Sequence, residues 1–130
     1  MKKVKKLLAV IIILVLIGVI GFKCWSAKLV KQAAGLEDVS IDISQVTDGT
    51  YEGHSEMGPV IVDVKVTVQD GVIMDVEIMK HQNGLGQSAN VIVKDMVDKN
   101  TYDVDVVSGA TVSSEIIINA VNNALQKGLQ

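Results

Sequence analysis

Val60, Val62, Val64, Val66 and Val68 alternate with Ile61, Asp63, Lys65, Thr67 and Gln69. A period of two places every valine on one face of an extended chain and most of the polar groups on the other. That is the pattern of a strand in an antiparallel sheet with one buried face, and it excludes a helix here. After Asp70-Gly71, the residues Val72, Met74, Val76 and Ile78 form a second apolar row, so the two runs read as a hairpin. A two-residue Asp70-Gly71 loop pairs Val66 with Asp75 and Val64 with Glu77, which puts charges on the valine face. A three-residue loop, Gln69-Asp70-Gly71, pairs Val68 with Val72, Val66 with Met74 and Val64 with Val76, with Gly71 in the left-handed region as a bulge. The second register is the expected one.

Downstream, Ser88 to Lys99 mixes Val91, Ile92, Met96 and Val97 with charge, which suits a helix of about three turns capped by Ser88. A short strand is expected near Tyr102–Val107. Beyond it Ile117, Ala120, Val121 and Ala124 recur at i, i+3, i+4 and i+7, the stripe of an amphipathic helix ending at Gly128 as a C-terminal glycine. The expected class is α+β: an N-terminal membrane helix, then one small domain with a hairpin-based antiparallel sheet and two helices.

The amino end is of another kind. Lys2, Lys3, Lys5 and Lys6 precede an unbroken apolar run from Leu7 to Phe22. As a helix the run spans about 24 Å, short of a hydrocarbon core of about 30 Å. Val4 and snorkelling by Lys5, Lys6 and Lys23 close most of that gap, with Trp25 placed as an interfacial anchor. The lysines favour a single pass with the amino terminus inside and the domain extracytoplasmic. A cleaved signal peptide is the rival, but its best cleavage site, after Gly21 with Val19 three residues before the cut, is poorly formed. The expected division is 1–34 for anchor and helical extension, 35–46 for a connector, and 47–130 for the domain. Within the connector Val39, Ile41 and Ile43 alternate weakly, as a first strand or an ordered stalk.

From Gln32 onward 5 lysines face 15 acidic residues, a net charge of −10, and the chain has no arginine. Such a domain has no electrostatic footprint for nucleic acid. Cys24 is the one cysteine, so an internal disulfide is excluded, and with two histidines it makes no metal site. No catalytic constellation stands out.

The densest small-residue stretch is Asp105-Val106-Val107-Ser108-Gly109-Ala110-Thr111, followed by Val112-Ser113-Ser114-Glu115. Gly109 reaches backbone angles closed to other residues, and Ala110 adds little bulk. Thr111 or Ser113 suits a helix N-cap, with Glu115 in the first turn against the positive end of the dipole. The loop thus offers a threonine hydroxyl and backbone N–H groups at a helix start, a place that suits a phosphate. By shape alone it is also an ordinary capped helix start.

Asp-x-x-(Ser/Thr)-Gly-Ala-Thr resembles the flavinylation motif of the FMN-binding domain family, and Asp105, Ser108, Gly109, Ala110 and Thr111 meet every specified position. The resemblance extends over roughly 46 to 127. Asp48-Gly49-Thr50-Tyr51-Glu52-Gly53 is similar to the family's opening strand, and His81 and Gly84-Leu85-Gly86 stand where the family has a histidine and a Gly-rich turn. Asn83 occupies a place where the family often has proline.

The resemblance implies FMN attached by a phosphoester to Thr111. A separate magnesium-dependent flavin transferase makes that bond with FAD as donor. It implies a flavin-side place for His81. Beside the resemblance, Asp105 reads as a recognition or activation residue for the transferase or as a solvated strand-end carboxylate, Ser108 as a loop hydrogen-bonder or an alternative acceptor, and Ser113 and Ser114 as cap residues or donors to the phosphate. Gly84, Leu85 and Gly86 would line the ring system, with Leu85 and Met79 packing on it. The formal G-x-G-x-x-A match from Gly84 to Ala89 does not make a dinucleotide site, because the strand before it belongs to a hairpin. The implied function is a membrane-anchored electron carrier working with a quinone-linked or Rnf-like redox subunit, and not an enzyme by itself. A non-covalent flavin or anion receptor, or a structural subunit of a membrane redox complex, are the alternatives.

Overall fold

The computed structural model describes residues 1–34, 38–82 and 87–129. Helix α1 (Lys2–Ala34) is followed by strands β1 (Gly49–Met57), β2 (Val60–Gln69) and β3 (Val72–Gln82), then helices α2 (Ile92–Lys99) and α3 (Thr111–Gln126). Single 3-10 turns occupy Ile43–Gln45 and Gln87–Val91. This is the α+β class expected from the sequence.

The sheet has the order β1-β2-β3, antiparallel throughout. All five alternating valines of β2 are buried, and α3 lies across them and across β1. Ile116, Ile117, Ala120, Val121, Ala124 and Leu125 supply the helix side of the core. The opposite face of the sheet is polar: Glu52 stands opposite Lys65, and His54 Nδ1 lies 2.5 Å from Asp63 Oδ1. α3 approaches β1 so closely that a Cβ on Gly53 would fall 1.9 Å from the Ala120 carbonyl oxygen.

The hairpin departs from the expected register. Its loop has two residues, with Gln69 opposite Val72 and both Asp70 (φ 53°) and Gly71 (φ 71°) in the left-handed region. That is the primed geometry whose twist matches paired strands. Charges are kept off the valine face by a bulge: Val68 pairs with Ile73 but Thr67 with Asp75, leaving Met74 as the extra residue. Val66 then meets Val76, and Val64 meets Ile78. A second shift between Asp63 and Val64 leaves Met79 extra in the same way. The inward residues of β3 are therefore Ile73, Val76 and the partly buried Ile78, while Val72 and Met74 face outward.

Three other expectations are corrected. Residues 102–107 pair with no strand; the segment is held by side chains, with Tyr102 Oη accepting from Ile41 N and donating to Val39 O. Gly128 does not end α3 in a left-handed turn, since its φ is not positive. It is required by space: a Cβ there would lie 2.6 Å from Val46 Cγ1 and 2.7 Å from Tyr51 Cζ. The helix expected over Ser88–Lys99 starts as the 3-10 turn, which places Ser88 inside it and not ahead of it as a cap. Asn100 (φ 50°) closes α2 and ties it to the hairpin, accepting the Ile73 N–H at 2.8 Å beside the bulge.

The connector is packed. Ile41, Ile43 and Val46 are buried, and Asp42 Oδ1 caps the 3-10 turn by accepting from Ser44 N at 3.0 Å. Asn122, fully buried on α3, grips Val39 at both ends, accepting its N–H and donating to its carbonyl. Asn119 donates to Asp38 Oδ1 at 2.8 Å. By contrast the apolar side chains of α1 from Leu7 to Phe22 are exposed all round the helix. Lys2–Lys28 is long and apolar enough to cross a membrane, which makes it a candidate anchor by length and composition.

Candidate functional site

The loop between residues 107 and 111 is a hydrogen-bonded turn. Ala110 N–H donates to Val107 O at 2.9 Å, and Gly109 takes φ 82° at the third position, the angle a type II turn demands there. Among the described residues nothing lies within 4 Å of a Cβ built on Gly109, so there the turn is open on its outer side. Ala110 is buried and leads directly into α3, whose first residue is Thr111. No side chain caps this helix. Thr111 is inside the helix, not before it, and Glu115 falls beyond the first turn. Its carboxyl is pushed up from the ordinary range by partial burial, with Asp38 and then Asp103 adding to the shift.

Four hydroxyls crowd this start, and burial separates them. Ser113 and Ser114 are buried, at 4% and 0% exposure, whereas Ser108 is exposed and Thr111 half-buried. Ser114 Oγ donates to Ala110 O at 2.7 Å and accepts from Val107 N at 3.0 Å. It is thus committed to bracing the turn, a role its place in the sequence as one more cap-region serine did not reveal. The signal was available in the spacing: a serine four residues after Ala110 in a helix can back-bond to that carbonyl. Asp105 is exposed on the segment leading into the turn.

The helix direction brings distant parts of the chain to one end of the sheet. Along α3 from its carboxyl end, Gly128 lies against Tyr51, Lys127 reaches Glu52 O, Ala120 meets Gly53, and Asn119 accepts from Ser55 Oγ. The amino end of α3 therefore points toward Met57 and the start of β2. His81 pairs with Val62 at this same end of the sheet. Its Nδ1 is hydrogen-bonded to Asn90 Oδ1 of the 3-10 turn that packs on α3. Gly84, Leu85 and Gly86 lie outside the described residues. Met79 is elsewhere: it lines a cavity of about 510 Å³ with Glu52, His54, Asp63, Lys80 and Lys127, on the polar side of the sheet. Among the described residues no cluster of His, Cys, Asp and Glu is arranged to hold a metal ion.

The FMN-binding domain model matches residues 58–126, from the turn after β1 to the last residue of α3. The chain is also 35% identical over 80 residues to the NADH:acrylate oxidoreductase of Vibrio harveyi. That stretch is 59% of this chain but 8% of the relative, so the likeness concerns one small part of a much longer protein. The family match supports FMN as the cofactor. Covering more than half of its residues, it establishes that the chain belongs to the FMN-binding domain family.

Proposed function

We propose that Thr111 carries FMN through a phosphoester and that the domain relays electrons on the outer side of a membrane to which α1 ties it. The observation that carries this reading is the state of Thr111. It completes the Asp105-x-x-Ser108-Gly109-Ala110-Thr111 motif, half-exposed at the start of a 16-residue helix, behind a turn that is open outward. The residues suit the group. The first N–H groups of α3 and its dipole favour a phosphate, and an acidic domain without arginine has little else to hold one.

Attachment balances as a phosphoryl transfer from FAD. Thr111 Oγ1 forms the new bond to the phosphorus of the FMN half, the pyrophosphate bond breaks, and AMP leaves. The hydroxyl proton passes to a base of the magnesium-dependent transferase, because an unactivated alcohol needs one. Ser113 and Ser114 are too deeply buried to compete. FMN, when bound, supplies the two-electron and one-electron chemistry, and the protein supplies tether, orientation and surroundings. A covalent tether also removes dependence on free cofactor, since non-covalent binding holds only while ligand exceeds its dissociation constant. The NADH:acrylate oxidoreductase carries its similar 80 residues within a much longer protein, which fits a relay module passing electrons between a membrane redox subunit and an acceptor, not an enzyme by itself.

The test is co-expression with a flavin transferase, denaturation and electrophoresis. Flavin fluorescence on the denatured band, a mass gain of one FMN less water, and loss of both in Thr111→Ala are expected. Flavin released on denaturation would replace this reading by non-covalent binding, and absence of flavin would leave a structural subunit.

A further inference from the structure

We infer that Ser114 is a positioning residue for flavin attachment, setting the turn that presents Thr111 without touching the reacting atoms itself. The inference rests on the proposed attachment at Thr111. Three hydrogen bonds form a closed ring around the turn: Val107 N–H to Ser114 Oγ, Ser114 Oγ–H to Ala110 O, and Ala110 N–H to Val107 O. One hydroxyl thereby ties the entry of the turn to its exit and ties both to the first turn of α3.

Apart from the burial of Ala110 and the packing of Val107 on the core, few other constraints act on this segment. Ser108 and Gly109 are exposed, Gly109 has open space around it, and residues 102–107 pair with no strand. Ser114 is fully buried, so water does not compete for its two bonds. Without the hydroxyl, the buried Ala110 carbonyl keeps its bond from Ser114 N at 2.9 Å, so the helix start survives. The Val107 N–H loses its acceptor, and the turn is free to take other shapes. Transfer to Thr111 needs its oxygen in line with the phosphorus, and displacements of about 1 Å in such geometries cost up to about a hundredfold in rate.

The experiment uses the full-length chain in detergent with flavin transferase, magnesium and FAD, following incorporation against acceptor-protein concentration. Ser114→Ala is expected to stay folded, to lose protection from hydrogen exchange at the Val107 amide alone, and to lower kcat for labelling roughly ten- to a hundredfold with KM little changed. Ser114→Thr, which keeps the hydroxyl, is expected to recover most of that rate. If Ser114→Ala fails to fold, Ser114→Cys, similar in size with a weaker donor and acceptor, takes its place with the same expectation. A folded variant labelled at the wild-type rate, or one changed in KM alone, overturns the positioning role. The controls separate this failure from that of the parent reading: unlabelled wild type, or labelled Thr111→Ala, overturns attachment at Thr111 itself.

Discussion

The two ends of α3 use glycine for opposite reasons. At the carboxyl half, Gly53 and Gly128 stand where any side chain would collide, with Ala120 O in one case and Val46 and Tyr51 in the other. At the amino end Gly109 meets nothing, and its glycine is required by a positive φ. One end is built for close packing, the other for presentation. The same helix is thus packed closely on β1 while its first residue stays half-exposed, as the proposed attachment requires.

That contrast can be broken at either end. The largest effect is on chemistry: Thr111→Ala should abolish covalent flavin while shifting stability by less than about 1 kcal/mol, read by intact mass and urea titration. Next is Gly53→Ala, whose Cβ would overlap backbone that cannot move aside; a loss of roughly 3 kcal/mol or more is expected in the urea midpoint. Asn122→Ala should cost about 1–3 kcal/mol, because the part-buried Val39 N–H loses its acceptor and the Val39 carbonyl keeps only the Tyr102 hydroxyl, and hydrogen exchange should quicken along the connector. Gly109→Ala should cost about 1–2 kcal/mol, the strain of a left-handed residue in open space, and should slow labelling more than it lowers stability. Equal losses at Gly53 and Gly109 would erase the distinction between the ends.

The smallest effect concerns pH. Glu115 has its folded-state pKa raised, so the folded state prefers it protonated. Its contribution is most favourable below the ordinary glutamate range and is lost as pH rises through the raised value. Glu115→Gln should therefore stabilise the domain slightly at neutral pH, by less than 1 kcal/mol given its exposure to solvent, and the gain should vanish in acid. A gain that grew on acidification would reverse the assignment.

What could be read from the residues was whatever follows a period. The valines of β2 and the stripe of α3 announced a strand and a helix, because burial on one face leaves a repeating mark. The apolar run before Trp25 announced α1 by its length and unbroken composition, not by a period. Register was another matter: the bulge at Met74 lets an Asp-Gly loop coexist with an unbroken valine face, and a one-residue irregularity has no periodic signature. The β-branched run before the motif suggested a strand, yet Tyr102 and Ser114 take the place of strand partners there. At the site, Thr111 and Ser108-Gly109-Ala110 were legible as a motif. The spacing of Ser114 from Ala110 permitted the back-bond, but which hydroxyls are buried depends on where the helix begins relative to the core, and the packing decides that. The asparagine grip on Val39 joins residues 83 apart in sequence, beyond the reach of any local pattern.

The central claim is that one threonine oxygen carries the coenzyme, and tryptic peptide mapping of protein isolated from its native cells tests it most directly. Cleavage after Lys99 and Lys127 yields a single peptide holding Ser108, Thr111, Ser113 and Ser114 together. The account predicts that this peptide gains the mass of FMN less water, with fragmentation placing the addition on Thr111. An unmodified peptide, or an addition on Ser108, would contradict it.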